Sequence, residues 1–423
     1  MSLSCPAVSR LTIFFGLAYF AHGIACGLAK QPFVYYFKSL GMSADEVAAW
    51  LSLTAIPWMI KPLYGLLIDL VPLWGYRRKS YLLLMAAFAA AGYAALAHVI
   101  SVDFIVWALF ISTLGIAAVD VVVDALMVEQ GLTSGLVRKF QGQQWTCLNL
   151  AAITAGLVGG WLSHSLLPQA AIQTAALVMI IGPVGVVMAT WLFIEEPKRS
   201  YSRLQTQSTA REIVKGFKSK SFWMVAGFLA FWNLIPNFST PLYYHMVDRM
   251  GFDQYFIGQL AAIGSVGATL GSLAYASFAD RFTLHQTLVG SISLSVLMAL
   301  AYVGLGDGLS ASLLSFCSGV VSMAALLSLF TLAASVCPPH AAGFAFAALM
   351  SIYSATAQIA AVVGGYLYEW VFHQEITPLI YLAAACTLSA FMWLPWLPTE
   401  WRRVRGDTRQ DEHSQHALAG LPA

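Results

Sequence analysis

Ile56-Pro-Trp-Met-Ile-Lys61-Pro-Leu-Tyr-Gly65-Leu-Leu-Ile-Asp69-Leu-Val-Pro72-Leu-Trp-Gly75-Tyr-Arg77-Arg78-Lys-Ser-Tyr81 is the stretch on which the reading of this chain depends. Its first part reads as the end of an apolar helix and its last part as a cluster of three cations. At about 1.5 Å of rise per residue, Lys61 lies about 12 Å inside the helix end marked by Asp69. An ammonium group in hydrocarbon costs about 2.5–3.5 kcal/mol on insertion scales. A lysine kept at that depth needs a partner or a function, so this segment is the first candidate for both.

The rest of the chain places that segment in a membrane. Of 423 residues, 59% are hydrophobic and only 10% are charged. A soluble protein carries about 25% charged residues, so these charges are too few to cover a globular surface of this size. Apolar blocks near about 20 residues recur throughout, the length that crosses about 30 Å of hydrocarbon. The expected class is an all-α polytopic membrane protein, with the lipid bilayer as its surroundings. The net charge of +2 gives no reason to expect a nucleic-acid partner. Cys5, Cys26, Cys147, Cys317, Cys337 and Cys386 show neither metal-ligand nor disulfide spacing. They read as small lipid- or core-facing residues, and no metal, cofactor, catalytic constellation or cleavable signal is expected.

Hydrophobicity and breaker residues predict about twelve spans, over residues 11–37, 47–67, 81–100, 104–128, 140–163, 172–194, 222–246, 255–278, 287–305, 311–336, 343–368 and 378–397. Arg10, Arg77, Arg78, Lys79, Arg138, Lys139, Arg281, the central run from Lys198 to Lys220 and the tail from Arg402 to Arg409 fall on one face. The other face holds only Lys38 and Arg249. That asymmetry sets the basic face, with both termini, in the cytoplasm, and a bacterial inner membrane is the expected location. The only long polar stretch between spans divides the chain into a six-helix bundle over 1–194, a cytoplasmic linker over 195–220 and a second bundle over 221–398, with a cytoplasmic tail over 399–423.

The two bundles resemble one another. Leu63-Tyr-Gly-Leu-Leu-Ile-Asp69 matches Ala274-Tyr-Ala-Ser-Phe-Ala-Asp280, and Gly159-Gly-Trp-Leu162 matches Gly364-Gly-Tyr-Leu367, at offsets of about 211 and about 205 residues. Two parallel six-span repeats about an axis along the membrane normal are a transporter architecture, with substrate held near the midplane between them.

Asp120 and Asp124 in span four are four residues apart, on one helical face and about 6 Å apart along it. Two bare carboxylates in lipid are costly, so they should face the bundle interior and pair or take up a proton. Three readings stay open: a permanent ion pair with Lys61 or Arg77 fixing spans two and four together, direct proton coupling, or contact with substrate. In span one, His22 shares a face with Cys26, and Lys30 follows near the same side, where it would attract an anionic carboxylate.

At Gly65-x-x-x-Asp69 followed by Gly75-Tyr-Arg77-Arg78 the chain resembles the major facilitator superfamily, with a short insertion containing Pro72. More narrowly it is similar to the folate–biopterin transporter family, whose hallmark blocks match Pro57-Trp-x-Ile-Lys61-Pro-Leu-Tyr-Gly and Asp120-Val-Val-Val-Asp124-Ala-Leu-x-Val-Glu129. The resemblance extends more loosely through Phe238 to Gly258 and the eleventh span. It implies the major facilitator fold, two pseudo-symmetric bundles, and movement of folates or pterins together with protons. It also implies that Asp69, Gly75, Arg77 and Arg78 form a cytoplasmic gating loop, with Asp280 and Arg281 as its reduced equivalent. Gln144, Trp145 and Asn149 in span five, Asn233 and Asn237 in span seven, and Tyr353 and Gln358 in span eleven then fall on spans that line the cavity of the resembling fold. An aromatic face with amides around it suits a flat pterin with donors and acceptors along its edges.

The expectation is a monomeric, proton-coupled secondary transporter of a small organic anion, not an enzyme. Two alternatives are a permease for another solute, muropeptide or drug-like, and a non-transporting membrane assembly factor on the same scaffold.

Overall fold

Residues 5–98, 101–134, 137–196, 219–278, 281–337 and 342–397 are described by the structure, a computed structural model. Among them the regular elements are helices. Helix α1 (Cys5–Leu28) is followed after two residues by α2 (Gln31–Ser39). Helices α3 (Ala44–Thr54), α4 (Ile56–Met59) and α5 (Lys61–Leu70) then lie end to end. Four long helices complete the first six spans: α6 (Lys79–Leu96), α7 (Val102–Ser134), α8 (Val137–Ser165) and α9 (Pro168–Phe193). The second set begins with α10 (Lys220–Asn233) and α11 (Ser239–Asp248). It continues through α12 (Gln254–Phe278), α13 (Leu284–Ala301), α14 (Gly308–Ser335), α15 (Ala342–Tyr366) and α16 (Ile376–Ser389).

Among the described residues, ten helices are long and apolar enough to cross a membrane by length and composition. They account for every expected span except the second and the seventh. Those two are present as pieces of 4 to 14 residues. The first span is also interrupted, at Ala29 and Lys30. The expectation of single helices for spans two and seven is therefore corrected, while span one stands over Ser9–Ser39 with a turn at Ala29 and Lys30. Proline gives the physical reason. Pro32, Pro57 and Pro62 sit in the first turns of α2, α4 and α5, where a missing N–H is tolerated, whereas inside a continuous helix each would remove a hydrogen bond and clash with the preceding turn. Pro236 lies in the break between α10 and α11. A hydropathy window averages across such breaks and reports one span.

The breaks in spans one and seven correspond. Ala29 and Lys30 stand about 205 residues before the start of the break over 234–238, the same offset as the glycine pairs. The glycine pairs in turn pack onto the breaks. A Cβ on Gly159 would lie 3.4 Å from Pro32 Cδ, and one on Gly364 would strike the carbonyl of Asn237. The second glycine of each pair faces the other bundle. A Cβ on Gly160 would lie 2.7 Å from Gly258 Cα, and one on Gly365 would lie 2.8 Å from Asp45 Cα. Two seams thus join the bundles, α8 on α12 and α15 on α3, and only residues without a Cβ allow the backbones this close.

Polar contacts close the same end. Lys38 Nζ donates to Asp248 Oδ2 at 2.7 Å and lies 4.3 Å above the Tyr244 ring. Tyr244 Oη donates to the Met42 carbonyl at 2.6 Å, Trp370 Nε1 to Asp45 Oδ2 at 2.9 Å, and Gln31 Nε2 to the Gln254 carbonyl at 2.6 Å. A cavity of about 270 Å³ remains there, lined by Lys38, Met42, Tyr244, Asp248, Arg249 and Glu369 among others. The Lys38 and Asp248 side chains are 21% and 51% exposed, and pairs of that exposure contribute about 1 kcal/mol or less. Lys38→Ala is accordingly expected to change uptake by less than about fivefold; a loss above about fiftyfold would show that the ion pair, and not the glycine seams, holds this end.

Candidate functional site

The central cluster is built on α7. Asp120 and Asp124 occupy successive turns of one face, as their spacing requires. Lys61 is the first residue of α5, immediately after the break at Ile60, and its ammonium donates to Asp120 Oδ2 at 2.7 Å. His22 Nδ1 lies 2.6 Å from Asp120 Oδ1. Both carboxylate oxygens of Asp120 are therefore engaged, and its side chain is only 5% exposed. Trp58 of α4 fills the space between the two partners. Its ring stacks on His22 at 5.0 Å and carries the Lys61 ammonium at 4.6 Å.

The broken second span is what makes this geometry available. A continuous helix would carry Trp58 and Lys61 on one face by i,i+3 spacing but would leave no free helix start. The break makes Lys61 the first helical residue, with its stem free to reach α7.

Asp124 has different neighbours. Its Oδ1 accepts from Tyr19 Oη at 2.9 Å and from Gln144 Nε2 at 3.3 Å. Both donors are neutral groups. Tyr19 also lies 3.5 Å from Met127 Sδ. A cavity of about 10 Å³, room for about one water centre, is lined by Tyr19, His22, Asp120 and Val186 among others.

The other predicted site residues are more dispersed. Lys30 is exposed at the break in span one, and its ammonium makes no ion pair among the described residues. Asn149 of α8 is 7% exposed with its amide nitrogen unpartnered among the described residues, and Trp145 is partly buried on the same helix. Asn233, at the end of α10, stands beside Tyr353 of α15 and also has a buried amide nitrogen with no described partner. Asn237 is exposed in the break of span seven. Its Oδ1 accepts from the Ser239 amide at 2.7 Å and its own backbone amide donates to the Ala360 carbonyl at 3.1 Å. The carbonyl of Gln358 accepts from Ser52 Oγ at 3.4 Å across the two bundles. His22, Lys61 and Asp120 are thus brought together, as are Gln144 with Asp124 and Asn233 with Tyr353.

In the loop between α5 and α6, Gly75 has φ 81° and allows the chain to turn back. The backbone amides of Arg77, Arg78 and Lys79 all donate to the Glu196 carboxylate, at 2.8–3.2 Å. Lys79 Nζ donates to the Ile194 carbonyl at 2.8 Å. Three cations crowd the start of α6, where the helix dipole disfavours them, and the carboxylate of Glu196 offsets both. Arg281 is exposed just before α13. The side chain of Asp69 and the whole of Asp280 lie outside the described residues, as do residues 197–218 and 398–423. Glu196→Ala is expected to lower the melting temperature by a few degrees, since it strands three amides at about 1 kcal/mol each in a partly wet loop; an unchanged melting curve would contradict that role.

Tyr19, Trp58 and Glu196 were not singled out from the sequence. Tyr19, His22 and Cys26 do recur at i, i+3 and i+7 on α1, and that polar stripe on an apolar helix was a usable signal.

Comparison with known proteins agrees with this architecture. The chain is 26% identical to "Folate-biopterin transporter" of Synechocystis sp., over 93% of this chain and 83% of that one. It is 23% identical to "Folate transporter 2" of Plasmodium falciparum, over 77% and 73%. Among solved structures, a point mutant of the nucleoside transporter NupG matches with a TM-score of 0.73 at 14% identity, covering 92% of this chain and 100% of that one. The D-xylose-proton symporter matches with a TM-score of 0.72 at 11% identity, covering 92% and 98%. At such identities the structural likeness speaks for the major facilitator fold alone. The BT1 family model matches residues 22–416, and the chain, an integral membrane transporter, belongs to the BT1 family.

Proposed function

We propose that the protein carries a folate- or pterin-like organic anion across the membrane by alternating access, driven by protons. The observation that carries this reading is the pair of matched breaks in spans one and seven. Interrupted helices at corresponding positions of two repeats mark the substrate site in transporters built this way. The break in span one presents Lys30 and the N-terminus of α2, two sources of positive charge. An ammonium without a counter-charge at this depth is tolerable only along a watery passage, where the carboxylate of a folate would meet it. The break in span seven presents Asn237, whose NH₂ group is left to donate while its oxygen caps Ser239.

His22, Gln144, Trp145, Asn149, Asn233, Tyr353 and Gln358 supply the aromatic and amide surroundings in this reading. Lys61, Asp120 and Asp124 form the coupling centre. Asp69, Gly75, Arg77 and Arg78, with Asp280 and Arg281, form the cytoplasmic gate. Residues 1–194 and 221–398 are the two moving bodies, joined by the cytoplasmic linker, and a monomer suffices. Both termini lie in the cytoplasm of a bacterial inner membrane.

The test is uptake of labelled folate and biopterin into proteoliposomes, with and without an inward proton gradient. Accumulation that collapses with a protonophore is expected. Lys30→Ala and Asn237→Ala should each raise the apparent KM about tenfold or more. Equal uptake with and without the gradient, or no saturable uptake of either compound, would contradict the reading.

A further inference from the structure

We propose that Asp124 is the side chain that takes up and releases the transported proton, with Tyr19 as its positioning residue, while Asp120 stays ionised against Lys61. This rests on the proton-driven reading above and separates the roles of two carboxylates that the sequence treats alike.

The two acids are four residues apart on one helix, but their partners differ in charge. Asp120 uses both oxygens, one on the Lys61 ammonium and one on His22. Its cage draws on α1, α4, α5 and α7, and the Trp58 ring closes it. Protonating Asp120 would leave the Lys61 ammonium buried without its counter-charge, which is strongly unfavourable. Asp124 receives only a phenol and a carboxamide, both on Oδ1. Its Oδ2 accepts no hydrogen bond among the described residues, and the residue is only partly buried, so a proton can reach it. Oδ1 keeps both hydrogen bonds whether or not Oδ2 carries a proton. The site is thus built to hold both protonation states, and the cage around Asp120 is built to hold one.

Lys61 and Asp120 neutralise each other, while neither direct partner of Asp124 carries a charge. Among the described residues, the charged and titratable groups that act most on Asp124 are Asp120 of its own helix, Lys61 of α5, and Tyr19 and His22 of α1.

The position also links the proton to movement. Tyr19 lies on α1, which ends at the break in span one, and Gln144 lies on α8, which carries the Gly160 seam. Ionised Asp124 holds both helices through charge-assisted hydrogen bonds, about twice as strong as neutral ones. Proton uptake weakens that hold on the two helices that line the substrate site and close the outer end.

Two measurements test this. The first is infrared difference spectroscopy of the purified protein across a pH titration. A protonated-carboxyl band should appear on acidification in the wild type, persist in Asp120→Asn and vanish in Asp124→Asn; a band that persists in Asp124→Asn overturns the assignment. The second uses biopterin in proteoliposomes. Asp124→Asn should lose gradient-driven accumulation more than about a hundredfold, while biopterin exchange slows by less than about tenfold and becomes independent of pH. Tyr19→Phe should shift the pH profile of uptake by about one unit. If the wild type responds to the proton gradient and Asp124→Asn responds equally, only this assignment fails. If the wild type itself ignores the gradient, the proton-driven reading fails with it.

Discussion

Lys61→Ala is expected to abolish transport and to destabilise the folded protein by about 3 kcal/mol or more. The mutation removes the only ammonium bonded to Asp120 among the described residues and leaves a carboxylate that is 5% exposed facing His22 alone. Removing one member of a buried pair costs about 3–5 kcal/mol, because the remaining charge keeps its desolvation penalty. It also strips the Trp58 face of its cation, a further loss of about 1 kcal/mol. The double variant with Asp120→Asn should recover much of the stability, since no uncompensated charge is left, while transport stays absent. Thermal unfolding followed by size-exclusion fluorescence, alongside uptake, separates the two effects. A Lys61→Ala protein that melts and transports like the wild type would show that the pair is incidental.

Gly258→Leu is expected to be as damaging to transport by a different route, with the bundles themselves intact. A Cβ at this position would lie 2.5 Å from both Gly156 O and Gly160 Cα, closer than side-chain atoms approach a backbone. The contact is between the bundles, so they can relieve it by staying apart at the outer end. Uptake should fall at least about fiftyfold, and the protein should be held open to the outside. Met42→Cys, beside Tyr244 at the same end, in a background lacking native cysteines, should then react faster with a membrane-impermeant maleimide when Gly258→Leu is added. Unchanged uptake with unchanged labelling would mean that the seam does not have to close.

Much of this organisation was legible in the sequence, and what was not has identifiable causes. Low charge, apolar blocks and the Lys and Arg asymmetry were enough for a polytopic helical protein. The Gly159-Gly160 and Gly364-Gly365 repeat was enough for two related bundles. The depth of Lys61, Asp120 and Asp124 marked them as neighbours, since a charge in hydrocarbon needs a partner. Composition could not decide which aspartate takes the lysine, because that depends on the break at Ile60, which sets the direction of α5. The breaks in spans one, two and seven were obscured because hydropathy averages over about 20 residues while Pro32, Pro62 and Pro236 act on one or two. His22 reads as an isolated polar residue until α1 is packed on α7, and Glu196 reads as the start of a solvated linker until the loop before α6 folds back to meet it. Contacts between distant segments such as Lys38 with Asp248 have no signature in either segment alone.

The most direct test of the central claim, a two-state machine closed at its outer end by glycine seams and governed by buried charge, is a distance measurement across that end. Spin labels at Leu167→Cys and Leu309→Cys, both exposed and one on each bundle, report the separation by pulsed electron resonance in lipid nanodiscs. Two separations are expected, with their populations shifted by pH and by biopterin in the wild type and frozen at the longer one in Gly258→Leu. A single separation, indifferent to pH, biopterin and that mutation, would contradict the account.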